Sequence, residues 1–302
     1  MKLLLTGAIS WTDSQIKEIE SLGHEVVYVQ DERIPLEKQG IEKEAIEGTV
    51  CNGLFLYNDI SKFHHLKYVQ LTSAGYDRIP LEYIRKHQIK IQNARGVYSI
   101  PMAEFALCGV LQIYKKSHFF YKNQKKHKWE KNREILELSG KQVCIIGCGS
   151  VGTECAKRFS AFDCNIVGID QCPRKDSYYK YIYGVDKLEV ILSNSDIIIL
   201  TLPLTEATRH LINKKKIDKM KQGAILVNIG RGGLLDTDAL KKKLPELRGV
   251  VLDVFENEPL DENEELWEMD NVIITPHNSF VGDGNRERLR QIIFENLQKF
   301  ER

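Results

Sequence analysis

Along the chain, short runs of apolar and β-branched residues alternate with longer segments whose apolar positions recur every three to four residues. This is the pattern of buried parallel strands separated by amphipathic helices. Lys2–Thr6 is the first run. Asp13 is placed to cap a helix that continues to Leu22 and is stopped by Gly23. Glu25–Val29, Gly53–Tyr57, Lys67–Thr72 and Ile89–Asn93 follow as predicted strands, with a helix started at Pro80 before the last. A long helix is predicted from about Ile100 to Lys125. A second series starts at Gln142, with strands at Gln142–Ile146, Asn165–Asp170, Asp196–Thr201, Ala224–Asn228, Gly249–Leu252 and Val272–Thr275. Asp186–Leu192 and Thr237–Lys243 are the clearer helices between them, and an amphipathic helix is expected over about Asp283–Phe300. Two such series imply two α/β units, the number expected for 302 residues.

Charge and composition narrow the function classes. Forty-three Lys+Arg against 42 Asp+Glu leave a net charge of +1, so no global field draws the chain to nucleic acid or to an anionic membrane. Lys115–Arg133 carries eight Lys/Arg against Glu130 alone. With little aromatic interleaving it reads as a solvated helix face or a dimer arm rather than a nucleic-acid patch. No apolar run approaches the ~18 residues needed to cross a bilayer. Met1–Ser10 reads as a buried first strand rather than a signal peptide, because the polar stretch Trp11–Gln15 follows without a small-residue cleavage pattern. Seven cysteines without a CxxC pair suggest neither a disulfide framework nor a zinc site, so no metal and a cytoplasmic compartment are expected.

The chemistry gathers in the second series. Gln142–Ile146 runs into Gly147-Cys148-Gly149-Ser150-Val151-Gly152 and then into a helical stretch, and Asp170 ends the next strand 18 residues after Gly152. A lone GxGxxG means little; between a strand and a helix, with an acidic residue at the next strand end, it is a dinucleotide fingerprint. Gly147 permits the tight turn, Gly149 lets backbone approach a pyrophosphate, and Gly152 lets the helix pack on the strand. The helix N-terminus offers amides to phosphate, and Asp170 can accept from a ribose. A structural glycine turn, or another user of this fold such as a methyltransferase, would share the motif. Three further features follow later strands: Leu202–Thr208, the turn Asn228-Ile229-Gly230-Arg231-Gly232, and Asp253–Pro259 paired with Thr275-Pro276-His277. All lie at C-terminal strand ends, where open α/β sheets bind ligands.

With these motifs in this order, the chain resembles the D-isomer-specific 2-hydroxyacid dehydrogenases over nearly its whole length. The first series adds Thr72-Ser73-Ala74-Gly75-Tyr76-Asp77, and Asn93–Gly96 leads to Met102-Ala103-Glu104. The resemblance implies two Rossmann-like α/β domains with parallel sheets. The substrate domain would be discontinuous, residues 1–97 and 277–302, and the NAD-binding domain would span 98–276. It implies a homodimer joined through the cofactor domains. It also implies residue roles. Arg231 would bind the substrate carboxylate and polarise the keto oxygen, a task suited to a guanidinium fork. His277 would be the general acid in reduction and the base in oxidation, and Glu258 would hold its imidazole in the protonated form. Asp253 and the Ile229 carbonyl would hold the nicotinamide carboxamide. Ser150 and Val151 would meet the pyrophosphate, with Pro203 and Thr208 nearby, and Ala74 and Gly75 would hold the carboxylate from the other domain.

Two departures bear on the substrate. Phe280 stands where the family usually has a glycine, three residues after His277. Leu56-Tyr57-Asn58 lacks the basic residue expected where phosphoglycerate dehydrogenases hold a phosphate. The chain ends at Arg302, so no regulatory small-molecule domain is expected. A small 2-ketoacid is therefore preferred as substrate, with D-3-phosphoglycerate dehydrogenase or glyoxylate/hydroxypyruvate reductase as alternatives within the family. A non-catalytic dinucleotide sensor, like the corepressors built on this scaffold, could keep the same residues.

Overall fold

In the computed structural model, which describes residues 1–301 (Glu301 by its backbone alone), the chain divides into two units. The first comprises Met1–Tyr98 and the C-terminal segment from Gly282. Its strands are β1 (Lys2–Thr6), β2 (Glu25–Val29), β3 (Gly48–Cys51), β4 (Tyr68–Leu71) and β5 (Lys90–Gln92). They form one parallel sheet in the order β2-β1-β3-β4-β5. Alternation along β1 sends Leu3 and Leu5 to one face, where they meet Leu289, Ile293 and Leu297 of the C-terminal helix Asn285–Glu301. Leu4 faces the other way, into a core with Val69, Leu71 and Leu36.

Two elements of this unit differ from the sequence expectation. Helix α1 (Asp13–Glu20) is capped by Thr12, not Asp13. The Thr12 hydroxyl accepts the Gln15 amide at 3.4 Å, and the Gln15 side chain accepts the Thr12 amide at 2.9 Å, a reciprocal capping box. The strand expected at Gly53–Tyr57 is instead β3, ending at Cys51, followed by the short helix α2 (Leu54–Tyr57). The buried Glu32 carboxylate accepts the amides of Asn52 and Gly53, so neither is left to extend the ladder and the backbone coils away.

The second unit spans Ser99–Val281. The single helix expected over Ile100–Lys125 is two, α3 being the six-residue helix Leu81–Lys86 of the first unit. Helix α4 (Ser99–Tyr114) and α5 (Ser117–Lys125) are separated by Lys116 at φ +53°, in the left-handed region. Lys115 ties the break down by donating to the Leu136 carbonyl at 2.8 Å. The strands are β6 (Gln142–Ile146), β7 (Asn165–Ile169), β8 (Tyr181–Tyr183), β9 (Ile197–Leu200), β10 (Ile225–Asn228), β11 (Gly249–Leu252) and β12 (Val272–Ile274). They form a parallel sheet in the order β12-β11-β10-β9-β6-β7-β8. Strand β8 was not expected; it is a short edge strand in which only Ile182 is buried. Strands β9, β10 and β11 are buried throughout, as central parallel strands covered on both faces must be. The order reverses between β6 and β9, the crevice where such sheets take ligands.

The sequence expectation placed the return to the first unit at residue 277, whereas 277–281 stay with the second. The His277 amide donates to the Asp253 carbonyl at 2.8 Å, and the amides of Asn278 and Ser279 donate to the Asp253 carboxylate. These bonds fasten the segment to the end of β11.

Candidate active site

At the end of β6 the three glycines meet different demands. Gly147 has φ +97°, a conformation L-residues rarely adopt. Gly152 lies so close to the turn that a Cβ would sit 2.1 Å from the Gly147 carbonyl oxygen. At Gly149 a Cβ would meet nothing within 4 Å: the turn is open there. Helix α6 (Ser150–Ser160) starts at this open side with Gly149 as its cap, and its first backbone-bonded amide is that of Thr153. The amides of Ser150, Val151 and Gly152 are therefore the orphans a pyrophosphate would accept. Asp170, at the end of β7, accepts the Cys148 amide on Oδ2 at 2.8 Å and the Cys172 amide on Oδ1 at 2.9 Å. The open cradle, the helix start and the carboxylate fit a dinucleotide. Burial pushes the Cys148 thiol up to about 12, so the cysteine within the turn is a neutral packing group at physiological pH.

The His277–Glu258 pair lies at the other side of the sheet reversal. His277 Nδ1 donates to Glu258 Oε2 at 2.8 Å, with both side chains half-buried. Glu258 is itself oriented, its Oε1 accepting the Phe255 amide at 3.0 Å. His277 has φ +52°, a strained conformation for a non-glycine residue that must be held by its surroundings. Asp253 holds it. Its side chain is fully buried and accepts the Thr275 hydroxyl at 2.6 Å, the Asn278 amide at 2.7 Å and the Ser279 amide at 3.0 Å. The first two bonds fill Oδ1 and the third engages Oδ2, so the buried carboxylate is given to the loop. The Phe280 ring stands edge-on to the His277 ring, centroids 6.1 Å apart, so the residue that departs from the family pattern borders the imidazole directly.

Arg231 lies on the turn that leaves β10. Asn228 shapes that turn, its side chain accepting the Gly230 amide at 3.1 Å and donating to the Arg231 carbonyl at 3.0 Å. The Arg231 side chain donates to the Gly230 carbonyl at 2.8 Å. Gly232 is the close approach: a Cβ there would fall 1.8 Å from the carbonyl carbon of Phe255. The Arg231 turn thus lies directly against the segment that carries Glu258. Ile229 is buried, with its backbone at the end of β10. Thr208 is buried too; its hydroxyl donates to the Pro203 carbonyl at 2.8 Å and accepts the Thr205 amide at 2.8 Å, which closes the Pro203–Thr208 loop on itself.

All these residues belong to the second unit; Ala74 and Gly75 belong to the first. They follow β4, where Asn93 donates to the Ala74 carbonyl at 2.7 Å and Ser73 to the Gly75 carbonyl at 3.0 Å. The loop is fixed by its own side chains. The supporting roles of Thr275, Asn278 and Ser279 had no signal in the sequence, since Asp253 finds them only through the fold. Among the described residues no group of His, Cys, Asp and Glu side chains is arranged to hold a metal ion, and no helix is long and apolar enough to cross a membrane.

Comparison with known proteins agrees with this geometry. The family model for the D-isomer specific 2-hydroxyacid dehydrogenase, NAD binding domain, matches residues 107–279. A glyoxylate reductase of Thermofilum pendens is 35% identical over 242 residues, 77% of this chain and 71% of that protein. A D-3-phosphoglycerate dehydrogenase of Methanocaldococcus jannaschii is 33% identical over 99% of this chain and 57% of its own longer length. The crystal structure of a D-lactate dehydrogenase from Aquifex aeolicus, complexed with NAD and lactic acid, superposes with a TM-score of 0.76 at 26% identity, over 99% of this chain and 95% of that one. With the family's NAD-binding-domain model matching more than half of this chain, and with relatives of this identity, the chain belongs to the D-isomer-specific 2-hydroxyacid dehydrogenases, NAD-binding oxidoreductases built from two parallel-sheet α/β domains.

Proposed function

We propose that the chain is an NADH-dependent reductase of small 2-ketoacids, acting reversibly on the corresponding D-2-hydroxyacids. The observation that carries this reading is the His277–Glu258 pair at 2.8 Å, held on a loop that Asp253 anchors in the same unit as the glycine turn. NADH, when bound, supplies the hydride to the carbonyl carbon. His277 delivers the proton to the carbonyl oxygen from Nε2, since Nδ1 is engaged by Glu258. Arg231 offers a planar pair of donors to the substrate carboxylate and keto oxygen. Ala74 and Gly75 of the first unit, the substrate domain in this reading, take the carboxylate through their amides. Ser150, Val151 and Gly152 hold the pyrophosphate, Pro203 and Thr208 shape the wall beside it, and Asp253 with the Ile229 carbonyl, both buried in this structure, takes the carboxamide once the site opens to the cofactor.

A small ketoacid is favoured over 3-phosphoglycerate because Asn58, at the position where a phosphate-binding cation would be expected, is buried and structural. It accepts the Leu36 amide at 2.9 Å and donates to the Leu54 carbonyl at 3.1 Å. The chain acts as a homodimer in the cytoplasm in this reading. Support for the dimer comes from the second unit: the outer face of α4 shows a groove lined by Leu107, Cys108 and Leu111, and the following segment exposes Tyr121 and Trp129, the latter 99% solvent-accessible. Light scattering should give twice the chain mass.

A panel of glyoxylate, pyruvate, hydroxypyruvate and 3-phosphohydroxypyruvate, assayed by loss of NADH absorbance, tests the reading. Turnover of the unphosphorylated acids supports it. Binding of NADH with no turnover of any ketoacid would favour a sensor instead.

A further inference from the structure

A second imidazole–carboxylate pair stands near the first. His210 Nε2 donates to Glu256 Oε1 at 3.0 Å. The same oxygen accepts the Thr237 hydroxyl at 3.4 Å and the Thr237 amide at 3.5 Å, both long bonds. Glu256 lies two residues before Glu258, so one short segment carries the carboxylate of each pair. The turn that follows Arg231 is gripped by the same two residues. On one side the His210 amide donates to the Gly233 carbonyl at 2.8 Å. On the other, Gly232 packs so closely that a Cβ would fall 2.4 Å from the Glu256 nitrogen. These two glycines have no side chains with which to hold their own backbone, and glycine has the widest backbone freedom of any residue. Their restraint must come from the flanking segments, and the His210–Glu256 bond joins those segments to each other. His210 takes φ +46°, a conformation that is costly for a non-glycine residue and persists only where neighbours fix it. In that conformation its amide reaches Gly233 while its ring reaches Glu256.

We propose that His210 and Glu256 are positioning residues for the reduction. Their bond clamps the Gly232-Gly233 turn, and so fixes the Arg231 guanidinium against the segment that presents Glu258 to His277. Both act through Arg231 and Glu258 rather than on the reacting atoms. A donor fork needs such support, because a misplacement of about 1 Å is enough to lose much of its worth. The pair is partly exposed, with side chains 44% and 36% accessible, so solvent screens it and the effect is moderate. Removing Glu256 costs more than removing His210, since Thr237 loses its acceptor as well. The inference rests on the roles proposed above for Arg231 and Glu258.

The test uses the full chain with NADH. Parent, His210→Ala, Glu256→Ala, Glu256→Gln and the double alanine variant are compared in three ways. These are steady-state kinetics with glyoxylate, binding of oxamate (an unreactive isostere of a 2-ketoacid) to the NADH complex, and amide hydrogen exchange across 229–236. Either alanine substitution should raise KM for glyoxylate and the oxamate dissociation constant by roughly three- to tenfold and lower kcat by a similar factor. The NADH dissociation constant should stay within about twofold, and exchange across 229–236 should quicken. The double variant should lose no more than Glu256→Ala does, because the two side chains form one bond. Glu256→Gln keeps an acceptor oxygen and should recover most of the loss. A lower melting temperature with KM, kcat and oxamate binding unchanged would make the pair merely structural. Equal weakening of NADH would make it a support of the Pro203–Thr208 loop. Either result, or unchanged exchange across 229–236, overturns the proposal. A parent that binds NADH but turns over no ketoacid overturns the proposed function, and this inference with it, before any variant is read.

Discussion

Asp253→Asn isolates the anchor of the His277 loop. The substitution keeps the shape of the side chain but replaces one acceptor oxygen by an NH2 group. Oδ1 can still accept the Thr275 hydroxyl and the Asn278 amide, at 2.6 and 2.7 Å in the parent. The new amide nitrogen then faces the Ser279 N–H across 3.0 Å, donor against donor. Losing a bond to a charged acceptor costs about 1.5–3 kcal/mol, and the buried, unsatisfied N–H adds to it. A loss of about 2–4 kcal/mol is expected, and solvent cannot relieve it because Asp253 is fully buried. At about 2–4 °C per kcal/mol for a domain of this size, the melting temperature should fall by roughly 5–15 °C. The same bonds hold His277 at its positive φ, so relaxation should misplace the imidazole. If about 2 kcal/mol of the loss falls on its position, turnover drops roughly 30-fold. Thermal melts and steady-state kinetics with glyoxylate read the two effects, and a titration with NADH separates them from cofactor binding. A variant that melts within about 2 °C of the parent and turns over within about threefold would refute the argument that this carboxylate fixes the loop.

Other perturbations should act through single contacts. Arg231→Lys should raise KM and lower kcat together, because an ammonium cannot reproduce the planar two-donor fork; saturation kinetics in which only one of the two moves would contradict this. Gly232→Ala would place a Cβ inside the Phe255–Glu256 peptide, so the turn must shift; loss of soluble protein, or of several degrees in a thermal melt, is expected, and a neutral result would show that the turn has slack. Burial pushes the thiols of Cys51, Cys148 and Cys155 up to about 12, whereas Cys108 and Cys172 are exposed. A thiol reagent at mildly alkaline pH should therefore label Cys172 rapidly, Cys108 more slowly because the proposed dimer covers the α4 groove, and the buried ones only on unfolding. The same burial makes stability fall as pH rises past 9.0, the ordinary thiol value: the unfolded thiols ionise there and the folded ones do not. Denaturant titrations at rising pH that showed no loss would contradict it.

What the sequence made legible was what local pattern encodes. Leu3-Leu4-Leu5 alternates between two cores because both faces of the sheet at β1 are covered, and the strand is found where its apolar run predicts. The glycine turn was legible because each glycine answers a different steric demand, of which the open side at Gly149 and the 2.1 Å approach at Gly152 are the physical form. What escaped depends on partners remote in sequence. Glu32 ends β3 from 20 residues away, so the apolar run that continues to Tyr57 does not continue as a strand. Lys116 turns left-handed inside a run that looks uniformly helical. Asp253 reads as a cofactor contact by position, but most of its hydrogen-bonding capacity goes to the His277 loop. Arg174 reaches back 26 residues to Cys148, a contact that spacing from Asp170 does not reveal.

The most direct measurement of the central claim compares chemistry with cofactor binding in His277→Ala. If His277 is the proton donor, glyoxylate or pyruvate reduction should fall by about 10²–10⁴-fold, the usual worth of general acid catalysis. The NADH dissociation constant should stay within about threefold of the parent, because the glycine turn and Asp170 are untouched. A variant that retained more than about a tenth of parental turnover while binding NADH normally would contradict the account and place the proton transfer elsewhere.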